Sequence, residues 1–169
     1  HHWHGQGSKT GAVYLLGASG WHRSIVIRRS LDGGNTWTHP ADSRSGVLFK
    51  GGPYREPPNY HCAPVPVLKK SGRLYRAFED CDPCNWGTGF QSLVVSAAEG
   101  DDLLDAASWR MSNKLPFDPA WVPREWGVLG SPGWLEGNVI EAPDGAIWNI
   151  LRFHADPLVD KAAVVRVRE

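Results

Sequence analysis

Val65-Pro66-Val67-Leu68-Lys69-Lys70-Ser71-Gly72-Arg73-Leu74-Tyr75 reads as an apolar run, a tight Ser-Gly turn and a second run that opens on an aliphatic and an aromatic residue. Apolar runs on both sides of a short glycine-containing turn are the pattern of an antiparallel hairpin. The phrase that follows the turn, Gly, any residue, an aliphatic, an aromatic, occurs at Gly11-Ala12-Val13-Tyr14, at Gly72-Arg73-Leu74-Tyr75 and at Gly145-Ala146-Ile147-Trp148. In the third copy Asn138-Val139-Ile140-Glu141 precedes the turn and Asp144-Gly145 closes it. Self-similarity at a fixed spacing is the mark of a repeat architecture.

Each hairpin is followed by further strand-like sequence, at residues 24–29, 91–96 and 162–168, and 109–111 supplies a short outer strand for the second unit. The units lie roughly 60 to 70 residues apart, longer than the roughly 40 to 50 of common propeller repeats, which leaves room for inserted loops. Radial four-stranded sheets lose their exposed edges only when the ring closes. The expectation is therefore an all-β chain, a single β-propeller fragment over residues 1–169 with about three blades at 8–45, 58–115 and 134–169. A twisted β-sandwich is the competing arrangement. Residues 101–107 have helical spacing and predict one turn of helix between strands, while 113–135, rich in Pro and Trp, predicts a long loop ordered by its aromatic rings.

Composition agrees with short elements joined by shaped turns: 19 Gly, 13 Pro and nine Trp against one Met. The 18 basic and 18 acidic residues cancel and form no run of one sign, so neither a nucleic-acid footprint nor a polybasic membrane patch is expected. No apolar stretch approaches the roughly 18 residues that cross a bilayer. The start, His1-His2-Trp3-His4 without Met, reads as a truncation, with His1, His2 and His4 an unstructured beginning and a secreted or periplasmic home expected. Cys81 and Cys84 form a CxxC and, with Cys62, leave three readings open: a loop disulfide, free thiols, or a metal site helped by His61. The adjacency of His61 and Cys62 weighs against the metal, and neither metal nor cofactor is expected.

Ser30-Leu31-Asp32-Gly33-Gly34-Asn35-Thr36-Trp37 fits the pattern S-x-D-x-G-x-T-W. The carboxylate of Asp32 can accept N–H groups of the turn, the glycines take positive φ, and Trp37 can pack over the turn, so Ser30, Asp32, Gly34 and Trp37 are structural. The motif resembles the Asp-box of sialidases (neuraminidases) and other BNR-repeat proteins. The resemblance extends over nearly the whole chain to sialidase-like bacterial proteins and implies a six-bladed sialidase-type β-propeller. In the segment Glu136 to Arg152 it implies that Glu136 activates a tyrosine nucleophile and that Arg152 belongs to the clamp on a substrate carboxylate. The chain has no F-R-I-P arginine motif, no acid/base Asp equivalent, no third arginine and no identifiable nucleophilic Tyr.

Independently of any family, the two strands of a hairpin bring residues before and after the turn to one end of the sheet. Glu136 is nine before Gly145 and Arg152 seven after it, and the same offset from Gly72 gives Glu79, with Tyr60 and His61 opposite. Glu136, Arg152, Glu79 and His61 are the candidate catalytic residues. Tyr60, Asp80, Asn138, His22, His154 and Trp134 are the candidate substrate-binding ones. Carboxylates for proton transfer, an arginine fork and stacking aromatics suit cleavage of an acidic or decorated glycan by an exo-acting glycoside hydrolase. A uronate lyase using His61 and Tyr60, or a non-catalytic carbohydrate-binding propeller, are the alternatives.

Overall fold

A computed structural model describes residues 2–4, 11–20 and 23–168 of the chain. Twelve strands are seen among the described residues, in three antiparallel sheets that follow one another along the sequence. The first contains β1 (His2–His4), β2 (Val13–Ala18), β3 (Ile25–Ser30) and β4 (Val47–Phe49) in that order. The second is built on β7 (Arg73–Cys81), which pairs along one side with β8 (Phe90–Ala98), itself flanked by β9 (Trp109–Met111). Along the other side β7 pairs with two short strands, β5 (Tyr60–His61) and β6 (Leu68–Lys70). The third sheet is β10 (Gly130–Glu141), β11 (Ile147–Asp156) and β12 (Ala162–Val167).

The middle sheet is covered on both faces, and the side-chain period of two explains how one strand serves two cores. Leu74 and Phe78 of β7 pack with Leu16, Ile25, Ile27 and Leu48 of the first sheet. Tyr75 and Ala77, on the other face, pack with Val139 and Ile147 of the third. Each such buried aliphatic or aromatic side chain contributes about 1.5–3 kcal/mol relative to exposure. This stacking of three sheets, with the central one sandwiched, differs from the two facing sheets of a β-sandwich.

Local chemistry explains where strands stop. Ser71 and Gly72 both take positive φ, 49° and 74°, the two-residue turn that matches strand twist. Residues 65–67, expected as strand, lie outside β6: Pro64 and Pro66 have no N–H to give the ladder. Buried Arg76 reaches across instead, donating to the carbonyl oxygens of Ala63, at 2.8 Å, and of Val65. The helical turn expected at 101–107 is a short 3₁₀ turn, Ala106–Ser108, capped by Asp105, whose carboxylate accepts from Ala107 N at 2.9 Å. His2 and His4, expected in an unstructured start, lie in β1, opposite Leu15 and Val13 of β2; His1 lies outside the described residues.

Between β3 and β4 the turn at 30–37 closes on itself. Asp32 accepts from Thr36 Oγ1 at 2.6 Å, Thr36 N at 2.9 Å and Ser30 Oγ at 2.7 Å. Trp37 Nε1 donates to Gly34 O at 2.9 Å, and Gly33 and Gly34 adopt φ of 72° and 99°. No helix among the described residues is long and apolar enough to cross a membrane.

Candidate functional site

Pairing of β5 with β7 sets Tyr60 opposite Asp80 and His61 opposite Glu79. Successive residues of a strand point to opposite faces, so the two pairs diverge. Toward the third sheet, His61 Nδ1 meets Glu79 Oε2 at 2.9 Å, and Glu79 Oε1 accepts from Gly137 N at 2.8 Å. Glu79 is completely buried, and a carboxylate withdrawn from water is tolerable only when bonded in this way.

The Gly137 N–H is available because β10 carries a bulge. Leu135 pairs with Arg152 and Asn138 with Ile150, so Glu136 and Gly137 together oppose Leu151. An extra residue of this kind bends a strand and re-aims a side chain. Glu136 sits at φ 61°, a left-handed conformation unusual for a residue with a side chain. Its carboxylate turns to Arg152, with Nε to Oε2 at 2.8 Å, and its side chain remains 32% exposed. A larger residue at Gly137 would force Asn149 to shift: a Cβ there would lie 2.5 Å from Asn149 Oδ1 and 3.0 Å from Ala77 Cβ.

The four candidate catalytic residues are therefore joined in one network, His61 to Glu79 to the Gly137 amide, and from the neighbouring Glu136 to Arg152. His154 lies two residues beyond Arg152 on β11 and so shares its face. Against His154 and Gly133 packs Gly87, at φ 77°, from the loop joining β7 to β8; a Cβ on Gly87 would collide with the imidazole. That loop carries Trp86, whose ring lies 5.8 Å from His61 and 5.4 Å from Phe90, centroid to centroid.

Other candidates are elsewhere. Tyr60 and Asp80 face the first sheet and are buried there. Asp80 accepts from Asn59 N at 2.6 Å and from Lys114 Nζ at 2.7 Å, and Lys114 lies over the Tyr60 ring. Burial works against the Lys114 charge, but the bond to Asp80 outweighs it and raises its pKa. A site that uses His61 and Tyr60 together is not formed, because they point to opposite sides of one sheet. Trp134 is only 2% exposed and spends its indole N–H on Phe90 O at 3.0 Å, so its ring is part of the packing and offers no open face for a sugar. Asn138 keeps a buried Oδ1 without a hydrogen-bond partner among the described residues. His22 lies outside the described residues.

Sequence reasoning did not single out Lys114, Asn59, Gly137 or Trp86. Asn59 is fully buried and ties the 52–58 loop through Pro53 O, Glu56 O and Pro58 O to Asp80. The one available signal was Gly137, a glycine directly after the candidate Glu in strand-like sequence. The loop expected at 113–135 is shorter than predicted, since β10 begins at Gly130. Its rings pack as expected: Phe117 contacts Trp121, Trp134 and Phe153 at centroid distances of 5.9, 5.3 and 5.8 Å. Cys62, Cys81 and Cys84 are free thiols, and no three His, Cys, Asp or Glu side chains among the described residues gather as a metal site.

No family model matches this sequence, and no curated protein matches it. Among solved structures, the xylan β-1,4-xylosidase of Bacillus halodurans C-125 superposes with a TM-score of 0.52 at 15% identity, over 99% of this chain and 30% of its own. The α-L-arabinanase of Penicillium chrysogenum, solved with arabinobiose, gives 0.48 at 14% identity over 92% of this chain and 40% of its own. The α-L-arabinofuranosidase of Lactobacillus brevis gives 0.46 at 16% identity over 98% and 50%. The chain thus spans less than two thirds of the enzymes it resembles, and the likeness to the xylosidase shows an all-β, β-propeller-like fold.

Proposed function

We propose that this chain forms part of a carbohydrate-active glycoside hydrolase, with Glu136 as the proton-transfer carboxylate. The observation that carries the reading is the contrast between two carboxylates in one network. Glu79 is sealed from solvent and fixed by two hydrogen bonds, whereas Glu136 is partly open to solvent on a strained bulge. Strained backbone persists where surrounding structure enforces it, and it concentrates at functional sites. Glu136 is thus suited to donate a proton to the oxygen of a glycosidic bond, or to take one from the water that attacks the sugar. Arg152 holds that carboxylate in place and presents a half-exposed cation to substrate. Glu79 acts through others: it orients the His61 ring and fixes the bulge that aims Glu136. The likeness to the xylosidase fold supports a glycan substrate by analogy only.

A second, narrower reading is a sialidase-type enzyme acting on an acidic glycan, favoured by the self-bonded turn at 30–37 and by a cation beside the acid. One panel separates the two: release of chromophore from aryl β-xyloside, α-L-arabinofuranoside and α-sialoside. Turnover of either neutral glycoside supports the first reading, and turnover of the sialoside alone supports the second. In either case Glu136→Gln is expected to lower kcat/KM by about 10²–10⁴-fold with the fold intact. Glycan binding without turnover of any substrate, unchanged in Glu136→Gln, overturns both in favour of a binding module.

A further inference from the structure

We infer that Trp86 is the stacking platform of this site, the surface on which the C–H face of a sugar ring next to the scissile bond is held. The inference rests on the hydrolase reading above and names a contact that reading does not contain. Trp86 is 45% exposed, as are Trp121 at 50% and Tyr54 at 53%. Single exposed apolar residues are ordinary; what distinguishes this one is how firmly and where it is held.

The 82–89 loop is bonded to itself rather than loose. Asn85 N donates to Pro83 O at 2.7 Å, Gly89 N to Asn85 O at 2.9 Å, Thr88 N to Trp86 O at 3.0 Å, and Asp82 N to Gly89 O at 2.8 Å. Backbone approaches that leave no room for a Cβ at Gly89 or at Gly133 fix the loop internally and against β10. Arg55 Nη2 adds a bond to Cys84 O at 3.3 Å. The indole is thus an anchor whose ordering cost is met in folding rather than on binding.

Its position is as telling. The loop spans the two halves of the network, touching His61 on the middle sheet through Trp86 and His154 on the third through Gly87. His61 is bonded to Glu79, and His154 shares a face of β11 with Arg152, the partner of Glu136. A rigid, half-exposed aromatic beside convergent polar groups is the composition of a sugar-sized binding surface, apolar on one side with a few fixed polar contacts. A sugar ring lying on Trp86 would have the His61 imidazole beside it.

The test separates binding from turnover. Isothermal titration of the Glu136→Gln protein with xylotriose, arabinotriose and sialyllactose reads affinity with hydrolysis suppressed. Adding Trp86→Ala is expected to weaken the best of these about 10-fold, while Trp86→Phe, which keeps a ring, stays within about 3-fold. In the otherwise wild-type protein Trp86→Ala raises KM and leaves kcat nearly unchanged, the signature of binding shared by ground and transition states. Far-ultraviolet circular dichroism and thermal unfolding check that both variants fold. Equal affinity with and without the indole overturns the platform and leaves the hydrolase standing if the glycoside panel turns over. Absence of binding to all three sugars overturns the platform as well, and the panel then judges the hydrolase separately.

Discussion

At the scale of single residues, Glu136 carries the most information. An L residue at φ 61° pays a steric penalty that glycine does not, because its Cβ crowds the adjacent backbone. That penalty can be separated from the lost carboxylate by comparing two truncations. Glu136→Ala and Glu136→Gly both remove the acid and its pair with Arg152, yet the glycine variant should be the more stable by about 1 kcal/mol in urea unfolding. In an ordinary strand position the order is reversed, since glycine weakens a strand. An alanine variant as stable as the glycine variant would mean that the bulge is not strained. The cysteines show the same dependence on surroundings. Burial, reinforced by the neighbouring Cys84 thiol, pushes the Cys81 thiol well above its usual range, so Cys81 should resist alkylation by iodoacetamide until the protein unfolds. Mass spectrometry that finds Cys81 modified as fast as Cys84 in the folded protein would contradict this placement.

At the scale of elements, the turn at 30–37 shows how far a local pattern reaches. The hydrogen bonds that hold Asp32 fall within eight residues, so a local pattern suffices for them; beside the Thr36 N–H the structure adds the hydroxyls of Thr36 and Ser30 as donors. Thr36, through its hydroxyl and N–H, and then Ser30 hold the Asp32 carboxyl well below the ordinary carboxylate range. A group whose pKa is depressed on folding contributes stability above its unfolded value and loses it as pH falls through the folded one. Thermal unfolding should therefore show a gap between wild type and Asp32→Asn that is widest near neutral pH and narrows on acidification toward about pH 3. A gap that does not change with pH would remove the carboxylate from the account. Hairpins were as legible as this turn: β6 and β7, and β10 and β11, follow from apolar runs around Ser71-Gly72 and Asp144-Gly145. The break between β5 and β6 was legible in part: Pro64 and Pro66 mark it in the sequence, whereas Arg76, which fills it, lies eleven residues from Val65 and is invisible to a strand pattern. The bulge at Glu136 and Gly137 was hidden for a related reason, since it is defined by register against β11 and not by composition.

At the scale of the whole molecule, strand direction, which a hairpin fixes, is enough to bring Glu136, Arg152, Glu79 and His61 to neighbouring strand ends. It could not say which face each side chain takes, and so it grouped Tyr60 and Asp80 with His61 and Glu79 although the middle sheet separates them. Trp86 escaped it because its place is set by a loop packed between sheets, a contact with no period to read. The stacking of sheets has one more consequence. The middle sheet is covered on both faces, but among the described residues no further sheet covers one apolar stretch of the third: Ile140 stands beside Trp148, Ile150 beside Val164, and Val164 is 54% exposed. A sheet with an apolar face is stable only against another layer. In solution this chain of 169 residues should therefore associate with itself as concentration rises. Val164→Lys, which puts a charge in the middle of that face on an edge strand, should shift sedimentation velocity profiles toward the monomer without lowering the melting temperature. Monomeric sedimentation of the unaltered chain at every concentration would show that the half-buried side chains of Ile140, Trp148 and Ile150 already cover one another well enough to leave water in contact with the face.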